Sequence, residues 1–149
     1  MTIAFILAAI GMGLMVGLSG TGSAIGLVIG GTSAVGAVKK KPESFGSSLV
    51  LSALPATQGL YGFVGFFLFS SYVSPEMSVF QGALIFGAGI ALGLAALFSA
   101  IQQGKVCAAG ISALGSGHDV FGNTLILAAF PEFYAILALV VAILMRNLM

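Results

Sequence analysis

Long apolar runs, broken by three short polar stretches, set the architecture of this chain. The breaks are Lys39-Lys-Lys-Pro-Glu-Ser44, Ser70-Ser-Tyr-Val-Ser-Pro-Glu-Met-Ser78 and Gly115-Ser-Gly-His-Asp119. Between them the pattern predicts four helices, over about residues 3–38, 46–71, 79–114 and 121–146. A helix rises 1.5 Å per residue, so about 20 apolar residues cross the ~30 Å hydrocarbon core of a bilayer. All four runs reach that length. The first and third exceed it, which implies tilt or protrusion.

The runs repeat. Ser44-Phe-Gly46 followed by Pro55 is echoed 76 positions later by Val120-Phe-Gly122 followed by Pro131. Gly31-Thr-Ser-Ala-Val-Gly36 is echoed 79 positions later by Gly110-Ile-Ser-Ala-Leu-Gly115. The chain therefore reads as a single membrane domain, residues 1–149, made of two tandem helical hairpins, 1–75 and 76–149, in parallel topology. Glycines recur at four-residue spacing in the first helix (Gly13 and Gly17; Gly22, Gly26 and Gly30) and in the third (Gly89 and Gly93). Small residues at this spacing let membrane helices approach closely. Helices 1 and 3 are expected in a tight inner layer, with the Leu-, Phe- and Ile-rich helices 2 and 4 outside, facing lipid. Glycine of this density over two helices favours a closely wound assembly of copies.

Composition agrees with this pattern. Apolar residues make up 59% of the chain and charged residues 6%, with a mean hydropathy of +1.18. A soluble domain carries about 25% charged residues, so this chain could not cover a water-facing surface. Net charge is +1, and no basic surface suggests nucleic acid as a partner. The start, Met1-Thr-Ile-Ala-Phe5, lacks a basic region, so the first run reads as a span and not a signal peptide. Lys39, Lys40 and Lys41 place the first and third loops in the cytoplasm. Both termini and the 70–78 loop then face outward, against a mild counter-signal from Arg146. Cys107 is the only cysteine, which rules out a disulfide framework and points to plain packing.

One residue stands against its surroundings. Glu132 lies near the middle of the run Thr124–Leu144, which holds no other charge. A carboxylate at that depth costs at least ~2.5–3.5 kcal/mol and marks a functional site by default. Other polar groups reach the same level. Leu54, Thr57, Gln58 and Tyr61 share one helical face at i, i+3, i+4 and i+7. Counting from the loop at His118, Gln103 lies 15 residues before it and Glu132 lies 14 after. Thr57 and Gln58 lie at a similar distance from the first loop. Pro55 and Pro131 each remove a backbone donor, so both are expected to disturb their helices and free carbonyls toward the cluster.

Oxygen ligands suit a hard cation. A proton would need little more than the carboxyl group. Interhelical hydrogen bonding, at ~0.6 kcal/mol per bond, is the bland reading. Lys105 points to another face and is expected to snorkel or to meet a neighbouring helix. His118 and Asp119, with Lys39 to Lys41 and Glu43, offer a docking surface for a soluble partner. No phosphate-binding loop of the Gly-x-x-x-x-Gly-Lys-Ser/Thr kind occurs. A small cation-coupled transporter and a purely structural membrane protein are the readings from other classes.

Several stretches resemble one family over essentially the whole chain. They are Lys41-Pro-Glu-Ser-Phe-Gly46, Leu54-Pro-Ala-Thr-Gln-Gly-Leu-Tyr-Gly-Phe63, Gln81-Gly82, Gln103-Gly-Lys-Val106 and Glu132-Phe-Tyr-Ala-Ile-Leu137. They are similar to subunit K, the sixteen-kilodalton proteolipid of V-type rotary ATPases, and above all to its bacterial sodium-pumping branch. The resemblance implies an all-α membrane protein whose four transmembrane helices, as two tandem hairpins, assemble into a homo-oligomeric ring. It implies sodium ligation by the Leu54 carbonyl, Thr57, Gln58, Gln103 and Glu132, with Tyr61 hydrogen-bonding the carboxylate and locking the site. Sodium is then cargo, with the proton as the alternative, and no cofactor is needed. The implied partners are identical subunits, a stator subunit supplying an arginine, central-stalk subunits at the cytoplasmic loops, and lipid. The implied location is a bacterial cell membrane, as a multi-pass protein. One carboxylate per four helices means few ions per turn, which suits an ATP-driven pump. The chain departs from the family pattern at Pro131, where an ordinary apolar residue is expected, and at Phe133, where threonine is common.

Overall fold

The computed structural model describes residues 2–149, among which there are helices and no strand. Helix α1 runs Ile3–Lys40, α2 Phe45–Ala53, α3 Thr57–Ser70, α4 Val79–Gly115 and α5 Phe121–Arg146. Among the described residues, four units are long and apolar enough to cross a membrane: Ile3–Lys40, Pro42–Ser70, Val79–Gly115 and Phe121–Arg146. They lie within a few residues of the sequence expectation. The second unit is α2 and α3 joined end to end through a 3-10 turn at Leu54–Ala56. Pro55 explains the turn. It has no N–H to donate back along the helix, and the chain tightens for three residues before resuming.

Helix ends follow local chemistry. The Thr2 hydroxyl accepts from the Phe5 N–H at the start of α1. At the start of α4, Ser78 and Gln81 form a reciprocal capping box, the Gln81 N–H donating to Ser78 and the Ser78 N–H to the Gln81 side chain. Gln81, part of the family pattern, is thereby a cap at the helix end. Gly117 turns the chain out of α4 with a φ of 93°, a conformation that favours glycine.

Helices α1 and α4 form the centre of the protein and run parallel. Ala4 lies against Gly82, Gly11 against Gly89, Gly26 against Gly104 and Ala37 against Gly115. The approach is backbone to backbone: a methyl group added at Gly104 would stand 2.6 Å from the Gly26 carbonyl oxygen. Serines add polar stitches. The Ser33 hydroxyl donates to the Ala108 carbonyl at 2.8 Å, and the Gly59 N–H donates to Ser23 Oγ at 2.7 Å. Helix α3 rests on α1, where Gly62 meets Ser19 and Met15, and α5 rests on α4, where Gly110 meets Thr124. Cys107 packs with Leu51, Ile111 and Ala128 and is buried.

The glycines of α1 fall into two groups that spacing had joined. Gly22, Gly26 and Gly30 touch α4 or the second span, whereas Gly13, Gly17 and Gly20 have nothing among the described residues within 4 Å of an added methyl group. Gly13 and Gly22 are nine residues apart, two and a half helical turns, and so lie on opposite faces. Close approach inside the chain uses only one of them.

Candidate functional site

The 3-10 turn and the first residues of α3 present the site from one side. The middle of α4 lies beneath it, and α5 closes it. Gln58 and Gln103 are fully buried, Ser99 is buried, and Thr57, Tyr61 and Glu132 are half-buried. The depth count from the loops therefore holds: Gln58, Gln103 and Glu132 meet at one level.

The contacts form a connected chain. The Thr57 hydroxyl reaches the Leu54 carbonyl oxygen at 3.1 Å and Gln58 Oε1 at 3.2 Å. Gln58 Nε2 donates to Gln103 Oε1 at 2.9 Å. Gln103 Nε2 donates to Glu132 Oε2 and to the Ala128 carbonyl, both at 2.9 Å. The Tyr61 hydroxyl donates to Glu132 Oε1 at 2.7 Å. All six residues singled out in the sequence thus lie in one network, with a donor on each oxygen of the carboxylate. A donor on each oxygen fixes the orientation of the Glu132 carboxyl group.

Lys105 is exposed and is not among the partners of Glu132. His118 and Asp119 lie in the turn after α4, far along the chain from the network.

Pro131 does not break its helix, contrary to the expectation from sequence. Helix α5 runs through it without interruption. Neighbouring side chains serve the carbonyls on this stretch: Gln103 donates to Ala128 O, and the Ser99 hydroxyl donates to Pro131 O at 2.8 Å. These bonds tie α5 to α4 around the proline, while the carbonyl that Pro131 leaves without its helical donor is that of Leu127. Phe133 is exposed on the outer face, with Tyr134 beside it. It takes no part in the network.

Ser99 is the residue that sequence reasoning missed. It sits four residues before Gln103, hence on the same face one turn away. Its oxygen accepts from Gln58 Nε2 at 3.1 Å while its hydrogen goes to Pro131. Beside it, an open apolar groove of about 640 Å³ runs between α4 and α5, bordered by Leu94, Phe98, Gln102, Phe130 and Tyr134.

Comparison with known proteins adds the lineage. The sequence matches the family of the ATP synthase C subunit twice, over residues 10–69 and 86–145. It is 44% identical over 140 residues to an A-type ATP synthase subunit K from Methanocaldococcus jannaschii, covering 94% of this chain but 61% of that relative. It is also 44% identical over 127 residues to a V-type sodium ATPase subunit K from Enterococcus hirae, covering 85% of this chain and 81% of the relative. The 16 kDa proteolipid of a human V-type proton ATPase is 24% identical over 129 residues, 87% of this chain and 83% of that protein.

Proposed function

The chain belongs to the family of the ATP synthase C subunit, and on that premise we propose that it carries sodium ions as a rotor subunit of an ATP-driven rotary pump. It is an integral, multi-pass membrane protein, a proteolipid of the V/A-type ATPases that is not catalytic by itself. The observation that carries the sodium reading is the oxygen-rich network around the one carboxylate inside a span. The Leu54 carbonyl, Thr57 Oγ1, Gln58 Oε1, Gln103 Oε1 and Glu132 are the ligands proposed for the ion. A proton carrier needs little more than the carboxyl group, whereas a cation can use the amide oxygens of the two fully buried glutamines beside it. The relative named for sodium is 44% identical and the human relative named for protons is 24% identical, which favours the same ion.

The mechanism follows from charge. A bound cation neutralises Glu132, so the loaded site can pass through lipid at low cost. Tyr61, bonded to Oε1, holds the carboxylate in place during that passage. At a stator subunit, an arginine from that partner would take the place of the ion, releasing it to one side. The emptied site would reload from the other. Identical copies form the ring, and the loops 39–44 and 116–119 face the cytoplasm, where central-stalk subunits would dock. Moving one charge against the membrane potential takes ~2.3 kcal/mol per 100 mV, supplied by ATP hydrolysis elsewhere in the complex. Sodium is cargo here, and the subunit needs no resident cofactor.

A carbodiimide tests this reading. It attacks a protonated carboxyl group, so it should modify Glu132 in the purified ring. Sodium at constant pH should protect, because the bound cation excludes the proton. Gln58→Ala or Gln103→Ala should weaken that protection, since each removes an oxygen while leaving the carboxylate. A rate indifferent to sodium up to high concentration, following pH alone, would replace sodium with the proton.

A further inference from the structure

We propose that Ser99 is a positioning residue for the ion site: it fixes which end of the Gln58 amide faces the cation ligands. The inference rests on the sodium reading above. A serine hydroxyl has one hydrogen to give and lone pairs to offer. In this structure the hydrogen goes to the Pro131 carbonyl at 2.8 Å. The side of the oxygen that faces Gln58, at 3.1 Å, can therefore only accept. Gln103 imposes the same demand. Its amide nitrogen is committed to Ala128 O and Glu132 Oε2, which leaves its oxygen toward Gln58 at 2.9 Å.

Gln58 thus meets two acceptors, and its two amide hydrogens satisfy one each. Turned over, its oxygen would stand against two oxygens in a fully buried place, and both of these hydrogen bonds would be lost. The amide oxygen is consequently held on the opposite side, 3.2 Å from Thr57 Oγ1, where the Leu54 carbonyl also lies. Three proposed ligands lie together there, and Ser99, not itself a ligand, orients one of them, the Gln58 oxygen. Ser99 also anchors the carbonyl of the residue immediately before Glu132, and so joins α4 to both ion-bearing elements.

The test is a carbodiimide-protection titration with sodium on purified rings of the parent, Ser99→Ala, Ser99→Thr, Gln58→Ala and the Ser99→Ala/Gln58→Ala pair. Ser99→Ala should need about fivefold more sodium for half-protection, the size of one lost hydrogen bond. Ser99→Thr keeps the hydroxyl, and the open groove beside it has room for the methyl group, so protection should return to within about twofold of the parent. In the Gln58→Ala background, Ser99→Ala should have a clearly smaller effect than in the parent, because the amide through which it acts is gone and only its bond to the Pro131 carbonyl remains to be lost. A role in packing alone would lower ring stability without separating these variants in sodium affinity. If Ser99→Ala rings fail to assemble, Ser99→Cys, with similar bulk and a weak donor, provides the same comparison. A protected parent whose Ser99→Ala variant needs no more sodium, or additive effects in the pair, overturns the inference and leaves the sodium reading standing. A parent unprotected by sodium sinks both.

Discussion

Glu132→Gln should abolish ion transport by the assembled complex while leaving the ring at full mass. The substitution preserves shape and most hydrogen bonding. The new amide oxygen can still accept from Gln103 Nε2, and its nitrogen can donate to the Tyr61 hydroxyl, which accepts as readily as it donates. Only the charge is lost. A cation without a counter-charge at this depth is penalised by at least ~2.5–3.5 kcal/mol, or roughly 100-fold in occupancy. ATP-driven uptake of radioactive sodium into vesicles carrying the complex should fall to background. Uptake above a tenth of the parent rate would show that the carboxylate is not the carrier. It would return Glu132 to the structural role that a buried, protonated side chain can fill.

The second large effect is on assembly. Gly26→Leu should leave no stable ring. Gly26 sits where α1, α4 and the 3-10 turn converge. A methyl group there would lie 2.6 Å from the Pro55 side chain and closer still to the Ala100 carbonyl oxygen. Both obstacles are rigid, one a proline ring and the other helix backbone. Relaxation by a flexible side chain, which usually limits overpacking to ~1–3 kcal/mol, is not on offer. The same wedge would push α4, and with it Gln103 and Ser99, away from Gln58. Detergent-solubilised mass should show monomers or aggregates for Gly26→Leu and a weakened ring for Gly26→Ala. An intact ring in the leucine variant would mean that close packing of α1 on α4 is dispensable.

Much of this was legible in the sequence because membrane helices are simple to count. Each apolar run ends where water must begin, so the four spans and their polar turns could be placed within a few residues. Depth was legible for the same reason. A fixed rise per residue brings Gln103 and Glu132 to one level when both are counted from the turn at His118, and the 2.9 Å contact between them reflects this. Pro55 announced the break in the second span.

What stayed hidden depends on which neighbour a face meets. Pro131 looked equivalent to Pro55, yet α5 continues through it, with α4 donating to the carbonyls of Ala128 and Pro131. Nothing local to residues 124–144 encodes those donors. Ser99, within Phe98-Ser-Ala100, looked like one more small residue in a tightly packed helix. Its position one turn from Gln103 was the available signal. Gly13 and Gly17 showed the spacing of a contact stripe, but their face is open within the chain. Helical phase separates them from Gly22 and Gly26, whereas spacing alone does not.

The central claim is that each chain binds one sodium ion through Glu132. Equilibrium binding of radioactive sodium to the purified parent ring, beside the Glu132→Gln ring, addresses it most directly. Saturable binding of one ion per chain in the parent, absent from the variant, is the predicted result. A parent ring that binds no sodium saturably, or a Glu132→Gln ring that binds it equally well, would contradict the account.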